Sequence, residues 1–217
     1  MIRRIDRLQA MLAAMLAALG VMTIYSAQAD WMRQIIWVAL GAVAYVAAMV
    51  YDYRRLRALA PALYAAMLVA LVAVHLVGHA ALGARRWLSV AGFPLEPSEL
   101  SKLLLVIVLA AYLSRAEGIS WRTFGGALGL VATPAFLVLV QPDLGTAIVL
   151  LAVAFVMLFL AGARPAQLGA ALAAGIVMVP LLPHLLHGYQ RRRLEIFLDP
   201  SQDPLGAGYN LLQARIA

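Results

Sequence analysis

The sequence predicts an all-α, polytopic membrane bundle, and three observations carry that reading. Of its 217 residues 65% are apolar and only 12% are charged, with a mean hydropathy of +0.90, a composition outside the range of soluble domains. The apolar residues gather into runs near the ~20 residues that span hydrocarbon. None of these runs shows the polar–apolar alternation of a membrane β-barrel, the only other backbone that satisfies its own polar groups in lipid.

Seven runs stand out, at about 8–27, 33–51, 59–79, 99–114, 123–141, 144–162 and 165–187. The first follows Arg3, Arg4 and Arg7 and has the look of a secretory leader. It lacks a clear small-residue cleavage site and the second run begins almost at once, so it reads as a retained anchor. Arg54, Arg55 and Arg57 separate the second run from the third. The fourth is the shortest; Pro97 suits its first turn, and Ser98 or Glu96 suits the cap. Gln141-Pro142-Asp143 divides the fifth from the sixth, as a tight turn at the surface or as a kink within one long helix. Gly125-Gly126 and Gly162 suit close helix packing. The whole of 1–217 reads as a single integral membrane domain, its 188–217 end an amphipathic and loop segment outside the membrane.

Short loops rich in arginine tend to stay in the cytoplasm, and the arginines before the first run place the N-terminus there. Arg54, Arg55, Arg57, Arg115, Arg122 and Arg164 then fall on the same side. Arg85, Arg86, Lys102 and Arg191 to Arg193 fall on the opposite side, where topology disfavours them, and an anionic partner would explain their placement. The net charge of +7 is dispersed among membrane loops and forms no continuous basic face, so no nucleic-acid partner is expected. There is no cysteine, which removes disulfide and thiolate chemistry. His75, His79, His184 and His187 form no zinc motif. No cofactor is identifiable; a divalent cation stays open.

Three constellations carry chemistry. The first is Arg85, Arg86, Trp87, Glu96, Glu99 and Lys102. Glu99 and Lys102 share a helix face at i, i+3. Read blandly, they are a surface ion pair with a snorkelling lysine. Two arginines beside an interfacial tryptophan, however, suit bidentate phosphate binding at headgroup level. The linker Gly92-Phe93-Pro94-Leu95 is too apolar for a solvated loop, so the segment is expected to lie on or re-enter the membrane surface. The second is Gln141-Pro142-Asp143-Leu144-Gly145-Thr146, where Asp143 caps the sixth run and on this topology shares a side with Arg85, Arg86 and Lys102. The third is the basic amphipathic stretch around Arg191, Arg192, Arg193, Leu194, Phe197 and Leu198, either a plain anchor or a contact for anionic membrane lipids. Its continuation, with Asp199-Pro200 and Asp203-Pro204, is turn-rich.

Ala84-Arg85-Arg86-Trp87, Glu96-Pro97-Ser98-Glu99-Leu100-Ser101-Lys102, Gln141-Pro142-Asp143-Leu144-Gly145-Thr146 and Tyr189-Gln190-Arg191 through Asp203-Pro204-Leu205-Gly206-Ala207-Gly208-Tyr209-Asn210 occur in order along the chain. Together they resemble the SEDS family (shape, elongation, division and sporulation) of RodA, FtsW and SpoVE proteins, its RodA branch above all. The resemblance implies a peptidoglycan glycosyltransferase of the bacterial cytoplasmic membrane. Such an enzyme polymerises lipid II, a disaccharide pentapeptide on undecaprenyl diphosphate, during cell elongation and beside a class B penicillin-binding transpeptidase. It further implies about ten membrane helices and a catalytic acid beyond Ala217. On that basis the chain is expected to be the N-terminal part of such an enzyme, truncated at its C-terminus and inactive alone. Arg85 and Arg86 are then expected to contact the diphosphate, Glu99 and Lys102 to form a buried network, Asp143 to tie the sixth helix to it, and Arg191 and Arg193 to make secondary anionic contacts. A lipid-linked precursor flippase or transporter also uses charge at broken helices, and a non-catalytic scaffold for cell-wall enzymes would need none of these charges. Movement of substrate across liposomes, or complexes that survive loss of the charges, would mark those two rivals.

Overall fold

A computed structural model of the chain describes residues 7–81, 84–90, 93–178, 180, 191–192, 195–196, 199–203 and 208–216. The helices are α1 (Arg7–Ser26), α2 (Trp31–Val50), α3 (Tyr53–Val77), α4 (Pro97–Leu113), α5 (Trp121–Val140), α6 (Leu144–Leu160), α7 (Pro165–Met178) and the short α8 (Tyr209–Ile216). Each of the first seven falls on one of the predicted runs, and the all-α reading of the bundle holds. By length and composition α1, α2, α3 and α5 can each cross a membrane. With 17 residues each, α4 and α6 reach ~25 Å, a little short of the ~30 Å hydrocarbon core.

Between α3 and α4 the chain forms a small antiparallel sheet in the order β1-β2-β3, from β1 (His79–Ala81), β2 (Ala84–Val90) and β3 (Phe93–Leu95). Leu88 pairs with Leu95 and Val90 with Phe93, while Ala80 pairs with Arg85 across a bulged first hairpin. The apolar Phe93-Pro94-Leu95 stretch is therefore a strand. Pairing with β2 serves backbone groups that an irregular apolar segment would leave unserved.

The chain divides into two compact units, Met1–Arg55 and Leu56–Ala217. In the first, α1 and α2 form a helical hairpin. Asp30 caps α2 by accepting from the Arg33 amide at 3.1 Å, and the Tyr25 and Trp31 rings meet edge to face at 5.9 Å across the turn. Neither helix buries a residue. Leu8, Leu12, Leu16, Leu19, Ile36 and Leu40 are all exposed, a surface that hydrocarbon accepts and water does not.

The second unit has a core built where α3, α4, α5 and α6 meet, with Met67, Leu71, Leu105, Leu109, Val131, Val138, Leu150 and Leu158 almost wholly buried. Small residues permit the close approach. A Cβ on Gly126 of α5 would collide with the Tyr112 hydroxyl of α4, so glycine makes the room that Tyr112 fills. Gly162, at φ +85°, ends α6 in the left-handed conformation. The amides of Gly162 and Ala163 donate to the carbonyls of Phe159 and Leu158, while the buried Ala163 and Leu158 join the same core, the hydrogen-bond pattern of a Schellman cap.

Three long-range hydrogen bonds set the helices in register. The Tyr64 hydroxyl donates to the Leu130 carbonyl at 3.1 Å, and Gln141 Nε2 donates to the Leu71 carbonyl at 2.7 Å. Both partners climb in sequence together, so α3 and α5 run the same way. Gln167, fully buried, accepts from the Arg164 amide at 2.8 Å and donates to the Ile119 carbonyl at 3.0 Å. The first of these is the return half of a capping box at the start of α7; the second fastens that start to the chain just ahead of α5.

Candidate functional site

The α4 start is divided into two stripes by helical geometry. Pro97, Ser98, Ser101 and Leu105 face the core, with Ser101 Oγ donating to the Ser98 carbonyl at 2.6 Å and Ser98 Oγ donating to Glu96 Oε1 at 3.2 Å. The hydroxyls thus find acceptors inside their own turn, which is how a buried serine avoids an unmet donor. Glu99 and Lys102 occupy the other stripe. Lys102 Nζ lies 2.7 Å from Glu99 Oε1 and 2.8 Å from Oε2, a two-oxygen grip on the ammonium.

The expected pairing of Glu99 with Lys102 is present, but the expected burial is not. The Glu99 side chain is 58% exposed and that of Lys102 31%. At about 100° per residue Glu99 faces away from the stripe of Ser98, Ser101 and Leu105, while Lys102 sits at the edge of that stripe and is half-buried. Leu100 and Leu103, on the same outward side, are exposed as well. A charge pair on an outward face at the first two turns of a membrane helix is available to a ligand or to another element.

The sheet joins this end of the unit, since β3 leads through Glu96 directly into α4. Arg85 and Arg86 lie on the central strand β2, Arg85 opposite Ala80. Trp87, next along the strand, is half-buried.

The Gln141-Pro142-Asp143 break proves to be a turn, and it is buried. Gln141 is 2% and Asp143 6% exposed. The Asp143 amide closes α5 by donating to the Val138 carbonyl at 3.2 Å, and its carboxylate opens α6 by accepting from the Thr146 amide at 3.2 Å. One residue therefore ends one helix and begins the next, the capping role read from the sequence. The turn sits at the sheet end of the unit, because Gln141 holds Leu71, less than two turns before α3 ends at Val77. Among the described residues Gln141 Oε1 is the one buried side-chain polar atom without a hydrogen-bond partner.

In the C-terminal stretch Arg191 pairs with Glu195 at 3.2 Å and Arg192 reaches Asp203 at 3.7 Å, all on exposed or half-exposed side chains. Arg193, Leu194, Phe197 and Leu198 lie outside the described residues. Asp199 behaves as a turn residue: it caps the 3-10 turn Pro200–Gln202, accepting from the Ser201 amide at 3.2 Å. Gly208 then packs onto the Pro200 and Asp203 carbonyls, where a Cβ would not fit. Among the described residues no group of three or more His, Asp or Glu is arranged to hold a metal ion.

Sequence reasoning passed over Tyr64, Gln141 and Gln167 as individual residues. The signals were present. Pro134 inside α5 removes the amide that would serve the Leu130 carbonyl, so a donor from a neighbouring helix is required, and glutamines in runs this apolar have to find partners within the protein.

Comparison with known proteins places this geometry. The family model of the FtsW, RodA and SpoVE cell cycle proteins matches residues 6–217. The peptidoglycan glycosyltransferase MrdB of Escherichia coli K12 is 35% identical over 215 residues, covering 94% of this chain and 58% of that protein. The solved structure of a peptidoglycan synthase complex superimposes with a TM-score of 0.81 at 36% identity, over 96% of this chain and 63% of that one. The crystal structure of Thermus thermophilus rod shape determining protein RodA gives 0.66 at 32% identity, over 77% of this chain and 57% of that one. The chain thus spans a little under two thirds of the length of these relatives. Its apolar helices, with this relationship, make it a multi-pass protein of the bacterial inner membrane. The chain belongs to the FtsW/RodA/SpoVE family of cell cycle proteins.

Proposed function

We propose that the protein is a peptidoglycan glycosyltransferase that polymerises lipid II during cell elongation, with its N-terminus in the cytoplasm and the sheet end of its second unit on the outer face. The observation that carries this reading is the Glu99–Lys102 pair at 2.7 Å, set on the outward side of α4 beside a strand that bears two arginines. Lipid II presents a diphosphate at headgroup level, and cations at that depth suit its recognition and the stabilisation of a leaving diphosphate. Lys102 is held by both Glu99 carboxylate oxygens, while Arg85 and Arg86 supply guanidinium groups on the adjoining strand. Asp143 supports the site by fixing the α5–α6 turn. Arg191 and Arg193 contribute secondary anionic contacts, with Arg191 partly neutralised by Glu195.

In the reaction, the 4-hydroxyl of one lipid II attacks the anomeric carbon of the growing strand and the lipid diphosphate leaves. A carboxylate base takes the hydroxyl proton. Glu99 is committed to Lys102 and Asp143 to its helix cap, so neither is assigned that step. The partner is a class B penicillin-binding transpeptidase, a reading supported by the likeness to a structure from a peptidoglycan synthase complex.

The test is polymerisation of fluorescent lipid II, read as glycan ladders, by the protein at the full length of its relatives. Lys102→Ala and Glu99→Ala are expected to abolish product with the protein still folded and inserted. Normal ladders from both variants would return the pair to a surface ion pair.

A further inference from the structure

The opposite end of the second unit gathers positive charge that no described group neutralises. Gln167 joins the Arg164 amide to the Ile119 carbonyl through one side chain. The N-cap of α7 is thereby fastened to the α4–α5 loop, with Arg115 four residues before Ile119 and Arg122 three after it. Arg57 joins them from α3. It lies seven residues before Tyr64, and Arg122 lies eight before Leu130, the two residues bonded to each other. At ~1.5 Å of rise per residue both arginines are offset about 10–12 Å along their parallel helices from the residues of that bond, toward the same end.

Arg57, Arg115, Arg122 and Arg164 are all exposed, and among the described residues none is paired with a carboxylate. Two acids stand nearby in the sequence, Glu117 in the α4–α5 loop and Asp52 just before α3, where it accepts from the Arg54 amide at 2.9 Å. Helix dipoles sharpen the imbalance. Arg122 is the second residue of α5 and Arg164 precedes α7, while Arg57 is the fifth residue of α3, so two of the four sit at helix N-termini, where the local field is already positive. Trp121, 54% exposed, stands beside Arg122 with its ring edge to face on Phe124 at 6.0 Å, the placement of an aromatic anchor at a membrane interface.

A topological preference for arginine accounts for the presence of these residues, but not for a cluster built against two helix dipoles around a fully buried tie. We propose that this end of the unit is a headgroup site for an anionic phospholipid, whose phosphate is held by Arg115, Arg122 and Arg164, with Arg57 reinforcing the field and Trp121 at the glycerol level. The site is remote from Glu99 and Lys102; thirteen residues of α4 and its C-terminal turn, ~20 Å, separate Lys102 from Arg115. It does not rest on the glycosyltransferase reading.

The experiment is a lipid titration of the thermal midpoint of the purified chain in neutral detergent, using phosphatidylglycerol, phosphatidylcholine or inorganic phosphate. Phosphatidylglycerol is expected to raise the midpoint saturably, with phosphatidylcholine and phosphate giving little. Arg122→Gln with Arg164→Gln should weaken the apparent phosphatidylglycerol affinity roughly 30-fold, about fivefold for each arginine near a charged surface, while the midpoint in phosphatidylcholine stays unchanged. Should the double variant fail to fold, Arg115→Gln, in a solvent-exposed loop, serves instead with a fivefold loss. Equal stabilisation of the unmodified chain by both phospholipids overturns the proposal, as does full stabilisation by phosphate alone or an undiminished response in the variants.

Discussion

The Tyr64 hydroxyl donates at 3.1 Å to the Leu130 carbonyl, the one that Pro134 leaves without its helical partner. A proline inside a membrane helix is tolerated when a neighbour serves the freed carbonyl, and here α3 does so for α5. Tyr64→Phe is therefore expected to lower stability by about 1 kcal/mol. Pro134→Ala restores an amide to the same carbonyl, so in that background Tyr64→Phe should cost measurably less. A double-mutant cycle by denaturant unfolding in detergent checks this. Equal costs in the two backgrounds would show that the hydroxyl does not stand in for the missing amide.

The two buried glutamines should respond differently to the same change. Gln167 uses both ends of its amide, on Arg164 and Ile119; Gln141 uses Nε2 on Leu71 but leaves Oε1 unpartnered. Replacing Gln167 by Met strips partners from a backbone amide and a backbone carbonyl, a loss of about 2–4 kcal/mol. Replacing Gln141 by Met loses one bond, to a carbonyl already within the α3 ladder, and removes an acceptor whose burial is itself costly. Its expected cost is below about 1 kcal/mol. Thermal midpoints of both variants decide it, and a Gln141 variant as unstable as the Gln167 one would mean that Oε1 is well served in the folded protein.

Gly162 tests the α6 cap. Its φ is +85° and the space a Cβ would occupy is open, with nothing within 4 Å, so its requirement is conformational and not steric. Gly162→Ala is expected to cost about 1 kcal/mol, and Gly162→Asn less, because Asn enters the left-handed region more readily. Thermal midpoints of the two variants check this, and equal costs would argue against a backbone origin.

Much of this fold was legible because hydrocarbon is an undemanding solvent to read: it requires long apolar helices, and charge or proline marks where they stop. The run expected at 123–141 is α5 at Trp121–Val140, and that at 144–162 is α6 at Leu144–Leu160. The third run was placed late because Arg54, Arg55 and Arg57 interrupt hydropathy without interrupting the helix, which begins at Tyr53. The sheet was illegible for a different reason. Two of its strands have three residues, too short for a period to show, and pairing across hairpins fixes them. At the site, the spacing of Glu99 and Lys102 foretold their ion pair, and Asp143 its cap. Burial was the part that could not be read, since which stripe of α4 faces inward depends on what α5 and α6 bring to it.

That exposed placement of Glu99 and Lys102 permits a clean separation of stability from activity. An i, i+3 pair this open is worth about 0.5 kcal/mol or less to the helix, so Glu99→Ala, Lys102→Ala and the exchanged pair Glu99→Lys with Lys102→Glu should all unfold within that margin of the unmodified protein. Their effect on lipid II polymerisation should be far larger, because a cation placed for a diphosphate acts most when charge develops on the leaving group. Removal of such a contact is expected to cost two or more orders of magnitude in rate. The exchanged variant is the sharpest arm: it restores the ion pair but moves the ammonium to position 99, about one helical turn nearer the sheet, and should stay stable yet inactive. Activity recovered by the exchange would make the ion pair itself, and not the position of the lysine, the feature on which function depends.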